Sequence, residues 1–346
     1  MTKFEISSRK IGFGNPAFII AEAGVNHNGN LETAFRLIDA AKKAGADAVK
    51  FQSFKSEEIV STDAPMAQYQ KENLGSDQNQ QSMLKNLELS VDDHHQIFEY
   101  CQQAEIEFIS TPFDRKSVDL LVQIGVSVFK ISSGDLTDVF LLEHISKMGK
   151  PVILSTGMGS LGEIEEGLGI LAELPVAILH CVSDYPAPLE AVNLRAITTL
   201  QSAFQRPVGY SDHSIGADVS LGAIALGACI IEKHLTLDCN DIGPDHSASM
   251  EPEPFEKFVR SIRSLETCLG DGIKRPRGNE IETAKVVRKS LVAARDLKVG
   301  EKVQEDMLTS RRPATGIAPR EKIAFIGKTL RRSVKGGDLL EFKDFE

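Results

Sequence analysis

Two histidines, two lysines and a set of carboxylates stand at the ends of short apolar runs in this sequence, and their chemistry follows from that placement. His213 in GYSDHS and His234 in IEKHLT close two successive runs. Neutral imidazoles suit divalent cations such as Mn²⁺, Fe²⁺, Co²⁺ or Zn²⁺. Two of them underfill a coordination shell, so water or substrate oxygens must complete it, as in an open catalytic site. A hydrogen-bonded pair without metal satisfies the same spacing. His27, in NHNG, is a third candidate, although NHNG also reads as a turn into a helix. Lys50 and Lys130 stand near the ends of two further runs. Buried ammonium groups are costly without anions, so these imply an anionic ligand or neighbouring carboxylates such as Glu22 and Glu232. Thr111, Ser132, Ser133, Ser155 and Thr156 add hydroxyls, and with the glycine turns of SSGD and STGMG they make a candidate phosphate or carboxylate cradle. Glu22, Asp184, Asp212, Glu232 and Asp245 supply carboxylates, which pair well with sugar hydroxyls. Asp245 lies in GPDHSAS, whose Gly-Pro turn folds the loop back over the site. His246 beside it reads as structural. Cys181 has no histidine set to activate it and reads as a small buried residue.

The elements that must position these groups are eight in number. FIIAEAG (18–24), DAVKFQS (47–53), EFISTPF (107–113), VFKISSG (128–134), PVILSTG (151–157), AILHCVS (177–183), PVGYSD (207–212) and CIIEKHLTL (229–237) recur with helix-like stretches between most of them. Such an α/β pattern predicts a (β/α)8 TIM barrel, in which the C-terminal ends of all strands surround one mouth that carries the active site. Side chains alternate inward and outward along each strand. Lys50 therefore shares a side with Gln52, Lys130 with Ser132, and Glu232 with His234.

The chain has 346 residues and a net charge of −10. This balance argues against nucleic acid or an anionic membrane surface as the main partner. No apolar run is long enough to span a bilayer, and the first residues lack a signal-peptide core. The five cysteines are scattered, with no C-x-x-C pair, which suits reduced thiols in a cytoplasmic protein.

Residues 1–17 read as a lead-in strand or hairpin, and 31–46 as the first barrel helix. The connection 54–89 is polar, amide-rich and long for a compact domain, so it reads as a lid on the substrate side. The expected division is a barrel domain over 1–275, a basic linker over 276–289 and a small β-rich domain over 290–346, marked by turn signals such as VGE and KGGD. A domain of about sixty residues is marginal alone, so it is expected to pack against another surface, in the same chain or a second one.

AEAGVNHNGN, KFQSFK, STPFD, KISSGD, LSTGM, HCVSDYPAP, GYSDHS, IEKHLTLD and GPDHSAS resemble, in order, the motifs of sialic acid synthases. The tail with RRPATGI resembles the antifreeze-like (SAF) domain that closes those enzymes. The resemblance spans essentially the whole chain. It implies condensation of phosphoenolpyruvate with an open-chain N-acetylmannosamine-type sugar, giving a nine-carbon 2-keto acid and phosphate. It also implies a divalent cation, Mn²⁺ before Mg²⁺ or Co²⁺, and a domain-swapped homodimer. Carried over by residue, His213 and His234 become metal ligands. Lys50, Thr111, Lys130, Ser133, Ser155 and Ser211 hold phosphoenolpyruvate. Glu22, Gln52, Tyr185, Glu232 and Asp245 hold or activate the sugar, and Arg312 reaches it from the partner chain. Ser183 stands where several N-acetylneuraminate synthases carry Asn, which leaves its phosphate contact and the sugar identity open. Legionaminic and pseudaminic acid synthesis from a 2,4-diacetamido-2,4,6-trideoxyhexose is the alternative within the family. A Schiff-base lysine aldolase is the alternative on the same barrel.

Overall fold

A computed structural model of the chain describes residues 4–61, 64–66, 71 and 79–346. Its contacts divide it into two units, residues 1–270 and 271–346.

The first unit opens with an antiparallel hairpin, β1 (Phe4–Ile6) and β2 (Arg9–Ile11). Eight strands follow, each on an expected run, with only β8 starting one residue before its run: β3 (Phe18–Gly24), β4 (Ala48–Ser53), β5 (Glu107–Pro112), β6 (Phe129–Ile131), β7 (Val152–Ser155), β8 (Val176–Cys181), β9 (Val208–Asp212) and β10 (Ile230–His234). They are linked in the order β5-β4-β3-β10-β9-β8-β7-β6. Every registered pairing within this sheet is parallel. Strands β5 and β6 abut and bring the sheet round to a TIM barrel. Both strand faces are covered, which explains why these runs are continuously apolar rather than alternating.

The helices pack outside. Helix α1 (Leu31–Ala44) starts where the Asn30 side chain accepts from the Thr33 N–H, and it ends at Gly45 with φ 83°, a left-handed cap that favours glycine. Next come α2 (Ser56–Ile59) and α3 (Gln80–Lys85) within the long connection, then α4 (Val91–Gln103) and α5 (Arg115–Ile124). Helices α6 (Val139–Ser146), α7 (Leu161–Ile170), α8 (Ala196–Phe204), α9 (Asp218–Ala225) and α10 (Pro252–Leu269) complete the ring. Of the connection 54–89 expected to be a lid, residues 62–63, 67–70 and 72–78 lie outside the described residues.

The barrel interior explains where the site falls. Its lower half is an apolar plug of Ile20, Ala48, Ile109, Val128, Ile153, Leu179 and Ile230, with Phe4, Ile6 and Ile11 of the hairpin. Two residues further along six of these strands the inward position turns polar. Ile20 is followed by Glu22, Ala48 by Lys50, Ile109 by Thr111, Val128 by Lys130, Ile153 by Ser155 and Ile230 by Glu232. The period of two puts each polar group on the same side as its apolar predecessor, one layer nearer the mouth.

The second unit pairs β11 (Ser290–Ala293) with β12 (Leu308–Arg311) around a small core that includes Leu291, Leu297, Val303, Ile317, Leu330, Leu340 and Phe345. The stretch 276–289 is not an extended linker throughout. It holds a two-turn helix, α11 (Glu280–Val287), with no buried residue. All five cysteines are free thiols. Among the described residues no helix is long and apolar enough to cross a membrane.

Candidate active site

The inward polar layer opens into a cavity of about 610 Å³. Apart from Arg312, every residue that the family resemblance carried over to the site lines it: Glu22, Lys50, Gln52, Thr111, Lys130, Ser133, Ser155, Ser183, Tyr185, Ser211, His213, Glu232, His234 and Asp245. Arg312 belongs to the second unit, where it is exposed.

Four charges organise the floor. Lys50 Nζ lies 2.8 Å from Glu22 Oε2 and 3.6 Å from Glu232 Oε1, and Lys130 Nζ lies 3.4 Å from the same Glu232 oxygen. All four side chains are buried. Of the two alternatives posed by the lysines, neighbouring carboxylates are thus realised, and they are realised inside the cavity. Burial and the Glu232 charge push the Glu22 carboxyl up to about 7 against the pull of Lys50. Glu232 moves the other way: burial would raise it, but Lys130 and Lys50 together hold it below the usual carboxylate range. Burial lowers Lys130, with Lys50 adding repulsion, whereas two carboxylates raise Lys50 despite burial. Gln52 Nε2 donates to Glu22 Oε1 at 3.4 Å, Lys50 Nζ to Thr111 Oγ1 at 3.1 Å, and Ser211 Oγ to Glu232 Oε1 at 3.2 Å.

The two histidines meet at the β9–β10 edge, ring centroids 5.5 Å apart, with the Tyr185 ring 4.1 Å from His213. His213 Nδ1 donates to the Val182 carbonyl at 2.6 Å, which leaves Nε2 with its lone pair. Burial lowers His213 to about 4 and holds His234 well below its ordinary value, so both rings are neutral. His234 Nδ1 is buried and has no hydrogen-bond partner among the described residues. Behind them Lys233 Nζ contacts Asp212 Oδ2 at 2.9 Å and the Ser214 carbonyl at 2.6 Å, and Asp212 also accepts from Ser214 and Ser220. Asp212 is therefore a brace behind the pair, not a cavity residue.

Some other sequence candidates fall outside the cavity. His27 is fully buried in the turn before α1, its Nδ1 accepting from the Gly29 N–H at 3.0 Å, so the turn reading of NHNG is correct. Thr156 spends its hydroxyl on the Leu179 carbonyl at 2.9 Å. Asp184 is exposed, and His246 is engaged with Thr236 Oγ1 at 2.7 Å. Cys181, by contrast, lines the cavity; it is buried as expected and sits 3.1 Å from Ser133 Oγ.

The sequence reading missed three features. Asp135 lines the cavity, with a buried unpartnered Oδ2 and a carboxyl raised to about 7 by burial and by Asp138. It stands in KISSGD, two residues beyond Ser133. Gly157 has no room for a side chain, since a Cβ would come within 2.4 Å of Ser183 Oγ and 2.9 Å of Ser133 Oγ. Its N–H donates to Ser133 Oγ at 2.9 Å. The third is an apolar wall from the long connection, which includes Phe54, Met83 and Leu87.

Residues 37–274 match the NeuB family, and residues 288–346 match the SAF domain. The chain belongs to the NeuB family. It is 47% identical over 327 residues to N,N'-diacetyllegionaminic acid synthase of Campylobacter jejuni, covering 93% of this chain and 98% of that one. To the synthase of the same name from Legionella pneumophila it is 44% identical over 353 residues, covering 98% and 99%. A crystal structure of N-acetylneuraminic acid synthetase from Leptospira borgpetersenii superposes with a TM-score of 0.73 at 39% identity, covering 82% of this chain and 95% of that chain. The expected activity class therefore stands: this NeuB chain is a phosphoenolpyruvate-condensing sugar acid synthase. The aldolase alternative lapses with that assignment. NeuB synthases are metal-dependent, and the neutral His213–His234 pair, with its unpartnered buried nitrogen, fits a divalent cation. Among the described residues the one close group of three such donors, Asp238, Cys239 and Glu251, is not part of the cavity lining. A cation held by these two histidines would need water or substrate oxygens to fill its shell.

Proposed function

We propose that the chain condenses phosphoenolpyruvate with 2,4-diacetamido-2,4,6-trideoxymannose, giving N,N'-diacetyllegionaminic acid and phosphate. The observation that carries the choice of acceptor is the cation inventory of the cavity. Among its described lining residues Lys50 and Lys130 are the only fixed cations, and both face carboxylates on the floor. They serve one phosphate, that of phosphoenolpyruvate, and among this chain's described lining residues no further cation is left for a sugar phosphate. The two legionaminic acid synthases among the relatives agree with that reading.

In this proposal Lys50, Lys130, Thr111, Ser133, Ser155 and Ser211 bind phosphoenolpyruvate, with Ser183 at the edge of the cradle. Their pre-set positions fix the enol carbon within reach of the aldehyde. Glu22, Gln52, Tyr185 and Asp245 hold the sugar. A divalent cation, Mn²⁺ first, is held by His213 and His234 and supplies Lewis-acid polarisation when bound. Carbon 3 of phosphoenolpyruvate forms the new bond to the sugar aldehyde carbon. Water adds at carbon 2, and the C–O bond to phosphate breaks as the keto group forms. Glu22, with a carboxyl near 7, and Glu232, held anionic, can accept and return the protons these steps require. Arg312 from the second unit of a partner chain completes the sugar site in a domain-swapped homodimer.

The test is phosphate release from phosphoenolpyruvate with Mn²⁺, run in parallel with the diacetamido sugar, N-acetylmannosamine and N-acetylmannosamine 6-phosphate. Release mainly with the first is expected. Release mainly with the 6-phosphate would refute the assignment.

A further inference from the structure

We infer that the apolar wall carried by α2 and α3 is the specificity element for the acceptor, selecting a sugar whose far end bears methyl groups in place of hydroxyls or phosphate. This rests on the function proposed above and names the residues that enforce it.

Phe54, Ile59, Met83, Leu84, Leu87 and Phe113 all line the cavity and belong to one hydrophobic cluster, separate from both barrel cores. Phe54 and Phe113 pack edge to face, centroids 6.2 Å apart. The wall stands on the β3–β5 side, on the chain segments that leave β4 and β5, next to Glu22 and Gln52. The hydroxyl cradle of Ser133, Ser155 and Ser183 stands on the β6–β8 side, across the ring. Phosphoenolpyruvate offers only one methylene, which must stay at the reacting centre, so it cannot be what covers this wall. A polyhydroxylated sugar end would leave hydroxyls desolvated and unpaired there. Acetamido and 6-deoxy methyl groups gain from the same burial. Glu58, also in the lining, is paired with Lys116, so that ammonium group is already engaged by a carboxylate.

The wall is pinned from outside the cavity. Glu88 accepts from the Ser56 N–H at 2.8 Å and from Ser56 Oγ at 2.7 Å, and it is 3.3 Å from both Lys55 Nζ and Lys85 Nζ. It ties the start of α2 to the end of α3. Glu88 is not among the lining residues, so a change there loosens the wall without altering any group that faces substrate.

The experiment compares wild type with Leu84→Gln, a half-buried wall position, and with Glu88→Gln. It reads kcat/KM for the diacetamido sugar over that for N-acetylmannosamine, and saturation-transfer NMR from protein to the sugar methyls. The preference ratio should fall about tenfold in Leu84→Gln and severalfold in Glu88→Gln, with the KM for phosphoenolpyruvate within twofold of wild type. Methyl saturation should fall in both. An unchanged ratio and unchanged methyl saturation in both folded variants would overturn the wall. Wild-type turnover of neither sugar, with methyl saturation still lost in the variants, would sink the proposed reaction and keep the wall.

Discussion

Glu232 is the residue through which the two cavity lysines are coupled, and its isosteric replacement by Gln has opposite effects on stability and on substrate affinity. Its Oε1 is 3.6 Å from Lys50 Nζ and 3.4 Å from Lys130 Nζ, with all three groups buried. At an effective dielectric of about 20, each such contact is worth roughly 4–5 kcal/mol of gross Coulomb energy. Desolvation of the carboxylate cancels much of it, and removing one member of a buried network typically costs ~3–5 kcal/mol because the remaining charges lose compensation. Lys50 keeps Glu22 at 2.8 Å, whereas Lys130 loses the one carboxylate with which it forms an ion pair among the described residues. The lower end of the range, ~3 kcal/mol, is therefore expected, a drop in Tm of roughly 6–12 °C. The same deletion removes an anion that faces the incoming phosphate. The Kd for phosphoenolpyruvate, read by titration calorimetry, should tighten about tenfold, while kcat falls by at least about a hundredfold because Glu232 no longer exchanges protons. Weaker phosphoenolpyruvate binding in a folded variant would refute the idea that Glu232 competes with substrate for the lysines.

Three further outcomes are expected. Burial holds His27 down at about 4 from an ordinary 6.5, so the stability that its neutral form carries is complete above pH 6.5 and is lost as pH falls through about 4. Replacing it by Gln should shrink the loss of stability between pH 7 and pH 4 by on the order of 3 kcal/mol, measured by denaturant unfolding across pH. In Gly157→Ala the new Cβ must displace the hydroxyls of Ser183 and Ser133. The KM for phosphoenolpyruvate should rise at least about tenfold, with a stability cost of about 1–3 kcal/mol from overpacking; an unchanged KM would remove those hydroxyls from the phosphate site. Lys130→Met and Arg312→Ala chains, each inactive alone, should regain activity on mixing and subunit exchange, because one mouth in each mixed dimer is then intact; no recovery in proven mixed dimers would exclude the swapped arrangement.

The barrel was legible because a strand covered on both faces leaves a continuous apolar run, and eight such runs admit few other arrangements. The site was legible for a related reason. A period of two with one polar residue at the C-terminal end has a fixed side, so Lys50, Lys130 and Glu232 could be placed from the sequence. What failed depended on contacts between segments distant in sequence. Thr156 looks like Ser155 in the chain, yet it is spent on the Leu179 carbonyl. His27 looks like His213 as a residue type, and there the NHNG turn was itself the legible signal. Asp135 was passed over because nothing local marks a carboxylate as buried. The wall residues Phe54, Met83 and Leu87 are scattered through a polar, amide-rich connection, so no hydrophobic period announced them.

The floor of the cavity also resolves an apparent conflict between an acidic chain and an anionic donor. A pair of free buried lysines would be costly in the empty enzyme, and burial already lowers Lys130. Pairing them with Glu22 and Glu232 removes that cost but sets a carboxylate against the arriving phosphate. Glu22, near 7, can be neutralised by one proton at little expense, whereas Glu232 is held ionised by both lysines. The two carboxylates thus divide the work: Glu22 is the group able to take up a proton when the anion arrives, and Glu232 stays ionised as the counter-ion that the two lysines share. Binding of phosphoenolpyruvate near pH 7 should then take up part of a proton, an amount that vanishes in Glu22→Gln. Calorimetry in two buffers of different ionisation enthalpy measures it, and uptake that persists in that variant would assign the proton elsewhere, with Asp135 as the next group to replace.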